Sequence, residues 1–345
     1  MNFSSDTAAP AHPSVLEAMM RANSGPAPSY GADKVTARVR AQLARVFETD
    51  DFDFWITPSG TAANALALSC FCPPIHSVIC HQEAHIQMDE RGAVEFFTGG
   101  GRLHLMPGEG AKLDHDLFTE YLLNYDPGFV HATPPAVLSL TNLTECGTAY
   151  SADEVARFAK RASLGGLAVH LDGARFGNAL VHTGASPAQM SWQAGVDVLT
   201  LGLTKTGALS CDVVILFGQA KAKGKELRAR AKRAGHMPAK MRFLAAQAEA
   251  MLEGGLWLDL SRHANAMAQK LAAVFREDSI ELAWDVQGNE VFALLDPHDI
   301  DKLQEDGAAF YAEWPGGSSR FVCSWATTEA EIESVRETLK RPMRK

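Results

Sequence analysis

The sequence has no apolar run long enough to span a bilayer, no internal repeat and no low-complexity linker. Its start, MNFSSDTAAP, carries neither a basic segment nor an apolar one, so a secretory leader is not expected. Positive charge is in deficit. The 32 Lys and Arg face 41 Asp and Glu, a net charge of −9, which argues against a nucleic-acid binder. No cysteine pair has CxxC spacing, and Cys70 and Cys72 sit closer together than zinc ligands usually do, so no metal site is expected. The six cysteines read as buried free thiols of a reducing, cytoplasmic compartment.

What is present is an ordinary globular composition, 46% hydrophobic and 21% charged. A length of 345 residues exceeds one small core, so a large domain and a smaller one are expected. Apolar positions at Val35, Val39, Leu43 and Val46 have helical spacing. Strands are expected at 52–57, 77–81, 136–142, 167–171, 196–203 and 211–218. Between them, Ser151 with Glu154 forms a capping-box pattern and Gly165 a stop, which delimits a helix. Strands alternating with helices from about residue 50 to 220 imply an α/β fold with a mainly parallel sheet. Then follow a basic segment (221–235), one long helix (241–275) and an alternating strand–helix–strand–helix tail. The expected division is a large domain with the N-terminal arm over 1–240, and a small α+β domain with the long helix over 241–345.

In open α/β sheets, ligands bind beyond the carboxyl ends of the strands. Four groups fall at such ends. Ser59-Gly60-Thr61 lies between a strand and a helix, where small residues and free amides suit a phosphate. Asp172 ends the apolar run VHL, Lys205 follows another strand within LGLTKTGA, and His85 lies in HQEAHIQMDERGA. Each alone has an ordinary explanation: a capped turn, a helix cap, a solvated lysine, a structural histidine. Together they supply what pyridoxal 5′-phosphate requires: an anion site, a carboxylate for its pyridine nitrogen, a lysine for a Schiff base and a ring to stack on its face.

The sequence resembles the threonine aldolase family, of the aspartate-aminotransferase fold type (pyridoxal-phosphate fold type I). The resemblance runs over nearly the whole chain. It is carried by SSDTAAP, SYGAD, PSGTAANALAL, HIQMDERGA, HLDGARFGNAL, TKTGA and RFVCSWATTE, with HLDGAR the most specific. MDERGAVEFFTGG and TNLTECGTAYSADE are most similar to the branch of low-specificity threonine aldolases and phenylserine aldolases.

The resemblance implies retro-aldol cleavage of L-threonine, L-allo-threonine or L-phenylserine to glycine and an aldehyde. It implies Lys205 as the Schiff-base lysine, with Thr204 beside it in the cofactor site. Asp172 would pair with the pyridine nitrogen, and His85 would stack on the ring. Ser59, Gly60 and Thr61 would hold the phosphate, and Arg175 would lie near the 3′-oxygen. Ser5 and Arg320 would bind the substrate carboxylate, with Tyr30 and Asn142 also on the substrate side. His131 matches a family histidine near the substrate hydroxyl, and His85 and His131 are the candidate bases. Arg233 would reach the phosphate of a neighbouring subunit in a homodimer or homotetramer with shared active sites. No nucleic-acid or membrane partner is implied. Two other readings remain open on the sequence: a β-eliminating lyase or aminotransferase on the same scaffold, and a non-catalytic cofactor-binding protein.

Overall fold

The computed structural model describes residues 1–341. Ten strands form two sheets. The large sheet contains β1 (Phe52–Thr57), β2 (Ser77–His81), β3 (Arg102–Met106), β4 (Pro135–Thr141), β5 (Ala168–Gly173), β6 (Val198–Gly202) and β7 (Asp212–Phe217), in the order β1-β7-β6-β5-β4-β2-β3. Strand β7 pairs antiparallel with both β6 and β1, and the remaining pairings are parallel. The α/β expectation holds, with β7 as the reversed strand. Strands β2, β6 and β7 are buried along their whole length. That accounts for their continuous apolar runs, because helices cover both faces of such a sheet.

The small sheet contains β8 (Glu290–Ala293), β9 (Tyr311–Trp314) and β10 (Ser318–Val322), antiparallel in the order β8-β10-β9. A second hydrophobic cluster underlies it, with Phe3, Leu271, Phe275, Val291, Phe321 and Val335. Phe3 donates its amide to Ala309 O, and Val322 donates to Phe3 O. The N-terminal arm therefore runs along the small sheet, then crosses back to the large one at Asp6.

The structure divides the expected long helix. Arg242–Leu252 and Leu256–Glu277 are separate helices, broken where Gly254 and Gly255 take φ of +60° and +79°. Left-handed backbone is readily available to glycine and cannot continue a right-handed helix. Strand β3 was absent from the sequence expectation. It lies at the sheet edge, and its partial exposure removes the apolar run that marks its neighbours.

Among the described residues, no helix is long and apolar enough to cross a membrane.

Candidate active site

The parallel strands end on one edge of the sheet, and the chemistry-bearing groups gather there. Along that edge lie the Ser59 turn after β1, Lys205 after β6, Asp172 on β5, Glu145 after β4 and His85 after β2.

Asp172 is buried at 1% exposure. Its Oδ1 accepts the Ala174 amide at 3.0 Å, and its Oδ2 accepts Asn64 Nδ2 at 2.7 Å. The turn after Asp172 packs so tightly on β6 that a Cβ at Gly202 would stand 2.4 Å from Ala174 O, so only glycine fits there. Asn64, on the helix Gly60–Ser69, also donates to Glu90 Oε1 at 2.9 Å. The same oxygen lies 2.8 Å from His85 Nδ1. A continuous chain, Asp172–Asn64–Glu90–His85, therefore crosses the floor of the site. Burial pulls the His85 pKa down, but the Glu90 hydrogen bond and the Asp172 charge outweigh it and hold the imidazole pKa above its ordinary value.

Lys205 is half-buried in the loop between β6 and β7. Burial, then the Arg175 cation, push its pKa below the usual lysine value, against the opposing pull of Asp6, Asp172 and Glu290. A lysine with a depressed pKa is closer to the free amine that nucleophilic attack requires. The loop is pinned by Asp212, whose Oδ1 accepts the Leu203 amide at 2.9 Å and whose Oδ2 accepts the Thr204 hydroxyl at 3.0 Å. The Cys211 amide donates back to Thr204 Oγ1 at 2.9 Å. The Thr204 hydroxyl thus braces the loop, with one lone pair left for any other partner.

The two arginines share one cluster. Arg175 grips Asp6 through Nε (2.8 Å) and Nη2 (3.3 Å), and its Nη1 lies 3.4 Å from Glu290 Oε2. Arg320 donates Nε and Nη2 to Glu290 Oε1 at 3.0 and 2.8 Å and lies 4.7 Å over the Trp314 ring. Asn289 adds a bond to Asp6 Oδ2 at 3.2 Å. The Arg175 charge, helped by Lys205, outweighs burial and holds the Asp6 carboxyl below its usual range. Arg175 therefore faces Asp6 and Glu290 beside Arg320, and its charge also reaches Lys205. Ser5 is next to Asp6 and caps the short helix Asp6–Ala8, with Oγ accepting the Thr7 amide at 3.2 Å.

At the β1 end, Ser59 Oγ accepts the Ala62 amide at 3.3 Å and caps the helix Gly60–Ser69. The amides of Gly60 and Thr61 have no intrahelical acceptor, as at any helix start. A Cβ at Gly60 would meet nothing within 4 Å, so no side chain or backbone crowds the helix start at that position.

Four expected residues stand apart. His131 is exposed in the turn before β4, its ring 5.2 Å from that of Phe129. It lies beyond the far end of a seven-residue strand from Asp172's edge, roughly 20 Å away at 3.3 Å per residue. Asn142 is at the right edge, but its side chain is spent. Nδ2 donates to Tyr150 O at 3.0 Å, and Oδ1 accepts the Tyr150 amide at 3.1 Å, closing the 142–150 loop. Within this chain Nδ2 also lies 3.4 Å from Met190 Sδ, so the amide serves to close that loop. Tyr30 is exposed, with Lys232 Nζ 4.4 Å over its ring, and Arg233 is exposed at the end of the helix Gly224–Arg233. Neither touches the cluster within this chain. Two large clefts, of about 820 and 590 Å³, open at the opposite edge around Ala168 and contain none of these groups.

Sequence reading missed Asp6, Asn64, Glu90, Glu145 and Glu290. Asp6, Asn64, Glu90 and Glu145 lay within quoted segments, SSDTAAP, PSGTAANALAL, MDERGA and TNLTECGTAYSADE, but no spacing rule marked any of the five.

The chain is similar to known proteins over nearly its whole length. A family model described as beta-eliminating lyase matches residues 2–297. A low specificity L-threonine aldolase of a Pseudomonas species is 37% identical over 342 residues, 99% of this chain and 97% of that protein. The Pseudomonas aeruginosa protein of the same name is 39% identical, over 97% of this chain and 95% of its own length. The threonine aldolase structure from Leishmania major superposes with a TM-score of 0.91 at 28% identity, covering 98% of each chain. Aspartate aminotransferase from Thermus thermophilus shares the fold, with a TM-score of 0.67 at 16% identity.

Proposed function

The chain belongs to the beta-eliminating lyase family, and from that premise we infer that it cleaves L-β-hydroxy-α-amino acids to glycine and an aldehyde with pyridoxal phosphate. L-Threonine, L-allo-threonine and L-phenylserine are the expected substrates. The observation that carries this reading is the convergence on one sheet edge of a lysine, a buried carboxylate, an open helix N-terminus and a pair of arginines.

The residues present fit the cofactor. Lys205 has the amine to hold its aldehyde carbon. Asp172 is a hydrogen-bond-accepting carboxylate for a protonated ring nitrogen, and the amides of Gly60 and Thr61, without intrahelical acceptors at a helix start, suit a phosphate. When bound, pyridoxal phosphate supplies an electron sink for the pair released at Cα.

The protein's own groups do the rest. Arg320 and Arg175 have their Nε edges held by Glu290 and Asp6, which orients their remaining N–H groups for a substrate carboxylate, with Ser5 alongside. Anchoring the carboxylate fixes rotation at Cα and so selects Cα–Cβ as the bond that breaks. His85, with Nδ1 tied to Glu90, presents Nε2 as the base for the β-hydroxyl proton. His131 takes no part in this reading. Two sheets with separate hydrophobic clusters support a cofactor domain and a small substrate-anchoring domain, with the helix Arg242–Leu252 packed in the first cluster and Phe3 of the N-terminal arm in the second. The protein is read as a cytoplasmic homodimer or homotetramer, with exposed Tyr30 and Arg233 offered to a neighbouring subunit.

The test is product identity. Purified protein loaded with cofactor should convert L-threonine to glycine and an aldehyde, and Lys205→Ala should lose both turnover and the lysine-bound cofactor absorbance. An oxo acid with ammonia instead of glycine would move the protein to elimination or transamination.

A further inference from the structure

Glu145 was not among the expected site residues, yet it stands between Asp172 and His85 on the sheet edge, in the loop after β4. Its Oε1 accepts the His85 amide at 2.7 Å. Its Oε2 is closed off from solvent and, among the described residues, has no hydrogen-bond partner. The loop that carries it is rigidly tied, with Thr144 Oγ1 bonded to Gly110 O and Asn142 clasping Tyr150. These ties hold the backbone around Glu145, and the His85 amide holds its Oε1. A carboxylate left this way is an incomplete hydrogen-bond arrangement, and proton uptake is the local remedy.

We propose that Glu145 is a positioning residue of the active site, which anchors the segment carrying His85 and, by gaining or losing its own proton, sets the charge that the imidazole faces. The inference rests on His85 acting as the base in the proposed aldolase reaction. The groups facing Glu145 are Asp172 and Arg175 from the end of β5, His85 from beyond β2, Cys80 on β2, and Cys146 and Tyr150 from its own loop. Burial keeps the thiols and the phenol neutral by raising their pKa values, which leaves Asp172, Arg175 and His85 as the charged or chargeable neighbours. Burial first, then the Asp172 charge, push the Glu145 carboxyl up to about 7, against the His85 amide and imidazole.

The consequence is a coupled pair. Once ionised, Glu145 adds a negative charge near His85 and makes the imidazole a stronger base. Once protonated, it withdraws that support. The two groups then titrate as a unit, and the acid limb of the rate profile belongs to both.

Glu145→Gln separates anchoring from ionisation, because the amide oxygen still accepts the His85 N–H. The first measurement is infrared difference spectroscopy on the cofactor-loaded enzyme without substrate. Wild type should show a protonated-carboxyl band that disappears with a midpoint at about pH 7, shifts on carbon-13 labelling of glutamate, and is missing from E145Q. The second is the pH dependence of kcat/KM with L-threonine. E145Q should move the acid limb about one unit lower and reduce its steepness from two protons toward one. A wild type lacking a titrating glutamate band, or an E145Q limb superimposable on wild type, overturns the proposal. Should E145Q not fold, the labelled wild-type band decides alone. A protein that makes no glycine fails the aldolase reading, whereas the infrared titration still reports on Glu145, so the two failures are distinguishable.

Discussion

Asn64 links two buried carboxylates, and Asn64→Leu tests the chain that ties the site together. The leucine has the same branched shape and fits a helix, but it removes donors to Asp172 Oδ2 at 2.7 Å and Glu90 Oε1 at 2.9 Å. Hydrogen bonds to charged groups contribute about 1.5–3 kcal/mol each. Both acceptors retain a second contact, Asp172 through Ala174 N on Oδ1 and Glu90 through His85. The lower end of the range therefore applies, and the pair should contribute about 3 kcal/mol in total. Urea unfolding of the apoprotein should show a lower midpoint at unchanged slope. Cofactor affinity should fall by about tenfold or more, because Asp172 is no longer held in place. Asn64→Asp should be worse than Asn64→Leu, since it places a third carboxyl between two others. An N64L protein with wild-type stability and wild-type cofactor affinity would refute the idea that this chain organises the site.

Two other outcomes follow from the same reasoning. Arg320→Lys replaces a two-donor edge on Glu290 and a stack over Trp314 with a point charge, so KM for L-threonine should rise roughly tenfold to a hundredfold with a smaller change in kcat. Comparable changes in kcat alone would show that Arg320 does not bind the substrate carboxylate. His170 is fully buried between Ser139 Oγ (2.8 Å) and Thr200 Oγ1 (3.2 Å), and burial lowers its pKa to about 4. The unfolded chain then binds the proton more readily than the folded one, so stability is present above about pH 6.5 and is lost as pH falls toward 4, by roughly 3 kcal/mol at most. His170→Gln should flatten that part of the stability–pH curve in urea titrations between about pH 7 and 4.5. An unchanged slope would mean that His170 does not carry the effect.

Strand and helix positions were largely legible because burial on both faces forces continuous apolar runs, and helix starts carry recognisable caps. Ser151 and Glu154 do form a capping box, with Ser151 N to Glu154 Oε2 at 2.7 Å and Glu154 N to Ser151 Oγ at 3.2 Å. Strand β3 was hidden because one side faces solvent. The helix break was hidden because a glycine pair within an apolar periodic pattern does not reveal its φ. The bonds from Asn142 to the Tyr150 backbone were hidden because they join residues eight positions apart through a folded loop.

Sequence alone determined which residues end strands at the ligand edge: Asp172, Lys205 and the Ser59 turn. Local chain chemistry suffices there, since an apolar run that stops on a charge or a glycine turn marks its own boundary. Tertiary structure decided everything that depends on residues far apart in the chain. It brought Asp6, Arg175, Glu290 and Arg320 into one ion cluster, drew Asn64 and Glu90 between Asp172 and His85, enclosed Glu145, and set His131 of this chain at the opposite end of β4 from Asp172. Strand order and docking of the N-terminal arm and small sheet are the reasons. Asp172, Glu145 and His85 become neighbours only once β5, β4 and β2 lie side by side, Asp6, Glu290 and Arg320 reach Arg175 only when the arm and small sheet pack on that edge, and the low-dielectric enclosure that shifts their proton affinities exists only in that packed state.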